Sequence, residues 1–231
     1  MLRPRARCVL VFTRTASHEA AAKRMPAARR LFACARARVL AAAASSGAQV
    51  VVAAPAAAAR PGARLLVQRG RTFAERLSSA LTDARALGYE EIVVVPGDVP
   101  GLQARHLRAA FARLRSFSAV LGPSPDGGVY LLGVRGEFAS VLAGVPWCTP
   151  RVFAALLANA GRAAVLPALA DVDGHAHLRA LRSGPDLDAE LAVMVAALLA
   201  RAAWPAVTAS AALSDPERRP FASRPPPLRA A

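Results

Sequence analysis

Short apolar runs rich in β-branched residues alternate along the chain with longer segments whose apolar positions recur at helical spacing. This alternation predicts an α/β fold, with helices crossing over between neighbouring strands of a sheet. The predicted strands are Cys8–Phe12, Gln49–Ala53, Leu65–Gln68, Ile92–Val95, Ala119–Leu121, Val129–Val134 and Ala163–Leu166. The predicted helices span residues 19–45, 73–87, 103–115, 149–160, 175–182 and 187–201. Because no helical segment separates the fifth strand from the sixth, we expect the sheet, mainly parallel elsewhere, to be mixed there.

One domain followed by a tail accounts for the length of the chain. The predicted elements lie within residues 1–203 of the 231, a length that can bury a substantial core. Residues 204–231 are rich in proline, alanine and arginine and lack apolar periodicity. We therefore predict a disordered tail there.

The formal charge of +15 would ordinarily favour nucleic-acid binding. Lys23, however, is the only lysine among 30 basic residues, and alanine is abundant, which is typical of GC-rich coding sequence. We therefore predict no specific nucleic-acid partner. Residues 1–38 hold ten basic residues and only one acidic residue, Glu19. This cluster has three possible roles: a solvated helix face, an approach for phosphates, or a patch that binds anionic surfaces.

Nothing in the apolar pattern indicates a secreted or membrane-spanning protein. The run Val9 to Phe12 is too short for the apolar core of a signal peptide, and Arg14 follows it. No run reaches the roughly 18 apolar residues of a membrane span. Three cysteines at unrelated positions suit a reducing compartment. We predict a cytoplasmic protein.

A carboxylate, Asp98, follows the strongest strand of the pattern after the turn-forming residues Pro96 and Gly97. In open α/β sheets ligands bind outside the carboxyl ends of the strands. A carboxylate at that edge can hold a hard cation such as Mg²⁺, which in turn holds phosphate oxygens. The alternative is that Asp98 only initiates a turn or caps the helix near Gln103.

Two later segments carry acidic residues of the same kind. Asp126-Gly127-Gly128, between two apolar runs, is typical of a hairpin and also of a backbone that a ligand can approach closely. Asp171 and Asp173 alternate around Val172, which places both carboxylates on one side of an extended chain. They are either a solvated loop edge or paired metal ligands.

Four motifs in order resemble one family. They are Pro96 to Leu102, Leu121 to Gly133, Val145 to Val152 and Asp171-Val172-Asp173. Together they resemble the DUF2064 family, glycosyltransferase-like proteins of the nucleotide-diphospho-sugar transferase (GT-A) superfamily. The resemblance covers roughly residues 8 to 182, and it implies a single Rossmann-like domain with helices on both faces of the sheet.

The resemblance also implies a function and a site. It implies transfer of a glycosyl group from a nucleotide sugar to a small-molecule acceptor, with Mg²⁺ or Mn²⁺ held by Asp98 and Asp173. Asp98 and Asp126 are the implied catalytic residues. The implied binding residues are Arg14, Arg24, Gly127, Gly128, Trp147 and Thr149. Trp147 is either a core anchor or one wall of the acceptor pocket, where Thr149 offers a hydroxyl and caps the following helix.

The chain departs from the family at its front loop. Family members carry a lysine-rich Pro-Gly loop that ends in Lys-Thr-Arg-Leu, whereas residues 12–25 lack the Pro-Gly turn and are rich in alanine. Such a segment favours helix. Arg14 can stand for the first lysine and Arg24 for the later arginine. Three functions remain open: glycosyl transfer, nucleotidyl transfer from a nucleoside triphosphate, and a binding or scaffold domain without turnover.

Overall fold

Seven strands form one sheet in the computed structural model, which describes residues 6–55, 64–182 and 189–203. The strands are β1 (Arg7–Phe12), β2 (Gln49–Ala54), β3 (Arg64–Val67), β4 (Glu91–Pro96), β5 (Ala119–Pro123), β6 (Val129–Arg135) and β7 (Ala163–Val165). Every predicted strand is confirmed to within two residues at either end. The predicted tail, residues 204–231, lies outside the described residues.

The sheet is mixed, as the pattern predicts. Its strand order is β3-β2-β1-β4-β6-β5-β7, and β6 alone runs antiparallel to both of its neighbours. The carboxyl ends of the other six strands therefore meet at one edge, together with the start of β6. The hairpin between β5 and β6 lies at this edge, where parallel strands would have required a crossover helix.

Eight helices accompany the sheet in the described residues. They are α1 (Ala16–Ala22), α2 (Arg29–Ala44), α3 (Phe73–Ala86), α4 (Ala104–Leu114), α5 (Ala139–Leu142), α6 (Val152–Ala160), α7 (His175–Arg182) and α8 (Ala189–Ala203). The alanine-rich front segment is helical, as predicted, in α1. The short helix α5 was not predicted, because four residues are too few to show a period.

The single helix predicted over residues 19–45 is wrong, because the chain breaks between α1 and α2. Arg24 adopts a left-handed backbone with φ of 54°, and a 3₁₀ turn, Pro26–Ala28, precedes α2. Proline lacks an N–H and disfavours helical geometry at the preceding residue, here Met25. α1 itself follows the carboxyl end of β1 and therefore lies at the carboxyl edge of the sheet.

Apolar side chains pack on both faces of the sheet. Along β1, Cys8 and Leu10 face α3, α5 and α6, while Val9 and Val11 face α2 and α4. This is the two-residue period of a strand that is buried on both sides. A third cluster joins α1, α2, α7 and α8 around Phe32. None of the helices in the described residues has the length and apolarity that a membrane crossing requires.

Candidate active site

A cleft of about 530 Å³ opens at the carboxyl edge of the sheet. It is lined by the ends of β1 and β4, by α1, by the β5–β6 hairpin, and by the segments that precede α6 and follow β7. Its walls differ in character. Charged side chains come from α1 and from the loops after β4 and β7, whereas α3 and the loop before α6 contribute apolar and aromatic side chains.

Asp98 lies in this cleft, directly after β4, and is only 8 % exposed. Gly97 is required before it, because a Cβ at that position would collide with the Thr13 side chain. The Asp98 carbonyl accepts a hydrogen bond of 3.1 Å from the Val172 backbone N–H, which joins the loop after β7 to the end of β4. The alternative of a helix cap is wrong, because the cap of α4 is Gln103.

Asp171 and Asp173 point into the same cleft. Val172 between them is fully buried on the opposite side, as the predicted alternation requires. Carboxylate oxygens of Asp126, Asp171 and Asp173 lie within 4.8 Å of one another. Three separate stretches of chain thus bring four aspartates, Asp98 included, to one place.

Crowding changes the chemistry of one of these carboxylates, Asp171. Burial, reinforced by the charges of Asp173, Asp98 and Asp126, raises the pKa of Asp171 to about 7 from its ordinary 3.8. Asp98 Oδ1 and Asp171 Oδ1 are buried and accept no hydrogen bond from any described residue. Buried carboxylate oxygens without donors are unfavourable unless a cation compensates them.

The donor set fits a hard divalent cation. Mg²⁺ and Mn²⁺ prefer carboxylate oxygens, which Asp171 offers together with Asp126 and Asp173. Asp98 and Asp171 each also have one buried oxygen without a hydrogen-bond donor. The predicted pair, Asp98 and Asp173, converges, because both carboxylates contact the same nitrogen atom. Asp171, which the alternating pattern singled out, joins the set.

That shared nitrogen is Nζ of Lys23, a residue to which the sequence analysis assigned no role in the site. Nζ contacts Asp98 Oδ2, Asp173 Oδ1 at 2.7 Å, Glu19 Oε1 at 3.3 Å and the Val172 carbonyl at 2.6 Å. Burial alone would lower the pKa of Lys23, but the surrounding carboxylates outweigh burial and raise it. Burial and the neighbouring Asp98 raise the pKa of Glu19 in turn, despite Lys23.

The two arginines of the front loop are placed differently. Arg14, half-buried at the end of β1, lines the cleft. Arg24 is exposed and does not line it, because the left-handed backbone after α1 turns the chain away. The expectation that both border the cleft is therefore wrong for Arg24, and Lys23 is the cation that faces the carboxylates.

The Asp-Gly-Gly segment is a tight hairpin. Gly128 N–H donates a hydrogen bond of 2.9 Å to Asp126 Oδ1, which orients that carboxylate beside Gly128 in the cleft. Gly127 has φ of 87°, and a Cβ there would collide with the Pro150 carbonyl. The expected close approach at Gly127 is thus to the chain's own backbone rather than to a ligand, whereas Gly128 does border the cleft.

Phe12, Phe73 and Trp147 form an aromatic wall of the cleft, and Trp147 is half-buried. Its ring centroid lies 5.1 Å from that of Phe73, which lies 5.4 Å from that of Phe12. Thr149 Oγ1 donates to the Pro146 carbonyl at 2.7 Å and accepts from Arg151 N–H at 3.3 Å. Thr149 therefore stabilises the turn before α6, but the prediction that it caps this helix is wrong, because the N-cap is Arg151. Trp147 and Thr149 both border the cleft.

Because Trp147 both packs and lines the cleft, its two roles are separable by substitution. Trp147→Ala should lower the free energy of unfolding by about 3 kcal/mol, since the Phe73 contact is lost. Trp147→Phe should preserve most of that stability yet weaken ligand binding in the cleft. Urea denaturation and ligand titration measure the two effects. A phenylalanine variant with unchanged affinity for a ligand that binds the wild-type protein would contradict a role in the cleft.

Solved structures place this architecture among the nucleotide-diphospho-sugar transferase folds. The chain is similar to a putative nucleotide-diphospho-sugar transferase from Desulfovibrio desulfuricans G20, with a TM-score of 0.72 and 21 % identity over 86 % of this chain and 98 % of that one. It is also similar to Rv0371c from Mycobacterium tuberculosis H37Rv, solved in complex with manganese, with a TM-score of 0.52 and 17 % identity over 76 % of this chain and 97 % of that one. These identities show a shared fold.

The family follows from the sequence. The family model described as "Uncharacterized protein conserved in bacteria (DUF2064)" matches residues 9–149, and the chain belongs to this family. The matched segment holds Arg14, Lys23, Asp98 and Asp126, while Asp171 and Asp173 follow it and complete the same cleft. Among curated proteins, none matches the chain.

Proposed function

We propose that the protein is a glycosyltransferase-like enzyme that uses a nucleotide-sugar donor and a divalent metal, Mg²⁺ or Mn²⁺. The observation that carries the proposal is the convergence of four aspartates with Lys23 and Arg14 in one cleft at the carboxyl edge of the sheet. Acidic and basic groups side by side suit a ligand that carries both a metal ion and phosphates.

The reaction breaks the bond between the sugar's anomeric carbon and the diphosphate and forms a bond from that carbon to an acceptor oxygen. A bound divalent cation would neutralise charge that develops on the leaving diphosphate. Asp98 and Asp173, joined by Asp171, would hold it, which leaves Asp126 free to act on the acceptor. Arg14, which lines the cleft at the end of β1, would bind the same phosphates.

The remaining residues act on the acceptor. The acceptor hydroxyl must lose a proton as the new bond forms, and Asp126, oriented by Gly128 N–H, is the carboxylate of the hairpin that would receive it. The aromatic wall of Phe12, Phe73 and Trp147 offers an apolar surface for a small-molecule acceptor and excludes water from it.

The comparisons support the proposal in two respects. The Desulfovibrio desulfuricans protein is described as a putative nucleotide-diphospho-sugar transferase, and Rv0371c, which has the same fold, was solved with manganese.

The cysteines suit a cytoplasmic enzyme. Cys8, Cys34 and Cys148 are all free, as expected in the reducing cytoplasm where we place the activity.

Nucleotidyl transfer is a second candidate, and Lys23 favours it. A buried ammonium group beside Asp98 and Asp173 can stabilise charge on an α-phosphoryl group when pyrophosphate leaves a nucleoside triphosphate. The same carboxylates would hold the metal ion in this reaction. The identity of the released product therefore distinguishes the two activities.

A thermal-shift panel followed by product analysis tests the proposal. Nucleotide sugars and nucleoside triphosphates are each added with Mg²⁺ or Mn²⁺, because ligands that bind the native state raise the melting temperature. We expect stabilisation by at least one nucleotide sugar that depends on the metal, and release of a nucleoside diphosphate on incubation with acceptors. Stabilisation by triphosphates alone, with release of pyrophosphate, would favour nucleotidyl transfer. No stabilisation by any member would favour a binding or scaffold domain.

A further inference from the structure

Lys23 is the only lysine of the chain, and its side chain is 11 % exposed. Lysine is rarely buried unless it is paired. Here it is paired several times over, although 29 arginines could have supplied basic surface without it. A residue type used once, and buried among carboxylates, indicates a specific role.

The environment of Nζ consists of hard oxygen atoms. Asp98 Oδ2, Asp173 Oδ1, Glu19 Oε1 and the Val172 carbonyl surround it, and they come from α1 and from the loops after β4 and β7. Three carboxylates and a carbonyl are also the groups with which proteins coordinate divalent cations. The ammonium group thus occupies a position built from cation ligands.

We propose that Lys23 is a resident counter-ion that holds Asp98 and Asp173 together until a divalent cation binds, and that the cation then displaces its ammonium group. The inference rests on the proposed function, because it requires a cation in the cleft. It assigns to Lys23, in the unliganded protein, the neutralisation of Asp98 and Asp173 that the bound cation later provides.

Electrostatics favour the exchange. Asp173 contacts Nζ and also belongs to the set formed with Asp126 and Asp171, so a cation bound to Asp173 lies within a few ångströms of the ammonium group. Two like charges at that separation repel strongly in a partly desolvated cleft. Without either cation, the crowded carboxylates would repel one another.

Local geometry permits the exchange without refolding. Lys23 is the C-cap residue of α1. Its flexible four-carbon side chain can move the ammonium group while the backbone stays in place. Ala22 and Arg24 on either side are exposed, so solvent lies close to the stem. The Phe32 ring, 5.3 Å from Nζ, packs beneath it.

Chemical labelling of amines tests the displacement directly. The full chain is treated with a limiting amount of an acylating reagent, with and without Mg²⁺, and modification is mapped by mass spectrometry. Because Lys23 is the only lysine, the α-amino group of the chain is an internal reference. We expect saturating Mg²⁺ to accelerate acylation of Lys23 by about tenfold while the reference is unchanged, since the ion pairs that protect it are broken.

A matched pair of variants separates displacement from general charge effects. Lys23→Met and Arg14→Met each remove one positive charge that lines the cleft, but only Lys23 contacts Asp98 and Asp173. By calorimetry with Mn²⁺, we expect Lys23→Met to tighten binding by about tenfold and Arg14→Met by about twofold. The Lys23 variant should also melt at lower temperature without Mn²⁺ and regain its stability with it.

The outcomes distinguish the inference from the function on which it rests. If Mg²⁺ binds the wild-type protein but does not raise the acylation rate of Lys23, the displacement is wrong and the metal site stands. Equal tightening in the two methionine variants would also overturn it. If Mn²⁺ binds neither the wild-type protein nor the variants, the metal-dependent function fails as well.

Discussion

Asp173→Asn should abolish the stabilisation of the protein by Mg²⁺ or Mn²⁺ and reduce any turnover by about a thousandfold. Asp173 is the carboxylate that both the Lys23 ion pair and the set with Asp126 and Asp171 share. The amide keeps the shape of the side chain but removes its charge. Calorimetry with Mn²⁺ and melting temperatures with and without the metal measure the loss.

Asp83→Asn is the matched control for this substitution. Asp83 lies on α3, pairs with Arg69 and does not line the cleft. The same chemical change there should leave Mn²⁺ affinity and turnover as they are in the wild-type protein. An Asp173→Asn variant that binds Mn²⁺ as tightly as the Asp83→Asn control would remove Asp173 from the metal site.

Asp171→Asn should stabilise the metal-free protein, increasingly so as the pH rises. The pKa of Asp171 in the folded protein is raised to about 7, so its contribution to stability is fully present below its ordinary pKa of 3.8 and is lost as the pH rises through 7. Asparagine cannot ionise and is spared this loss. By about pH 8 the variant should be more stable by up to about 4 kcal/mol.

Urea denaturation with a chelator present, at several pH values from about 5 to about 8, measures this difference. The difference between variant and wild-type protein isolates Asp171, because other titrating groups are common to both. With saturating Mn²⁺ the order should reverse, since the ionised carboxylate is then compensated. A constant difference across the pH range would show that Asp171 does not titrate in that window.

The strands and the position of the site were predictable from the sequence because both depend on local signals. β-Branched runs end at turn-forming residues, and the carboxyl ends of parallel strands share an edge, so Asp98 and Asp173 could be expected to converge. The hairpin that carries Asp126 was predictable from the sequence for the same reason, because no helical segment lies between its two strands.

Contacts between distant parts of the chain were not predictable. Lys23 meets a carboxylate 75 positions away, and no pattern near Lys23 encodes that pairing. Two local signals were present nevertheless: Glu19 stands four positions before Lys23, and Pro26 marks the end of a helix. Read together, they would have ended α1 near Lys23 and assigned the cleft-facing cation to it rather than to Arg24.

The close packing of Gly127 against the Pro150 carbonyl joins the β5–β6 hairpin to the turn before α6. Phe153 N–H also donates to the Gly127 carbonyl at 3.0 Å, so the hairpin, the turn of Trp147 and the start of α6 are joined through backbone contacts. These contacts fix the position of the Asp126 hairpin relative to the turn of Trp147. The opposite wall is α1, seven residues long and followed by a break in the helix. We therefore expect any adjustment to a bound ligand to be smaller at Asp126 and Trp147 than in α1.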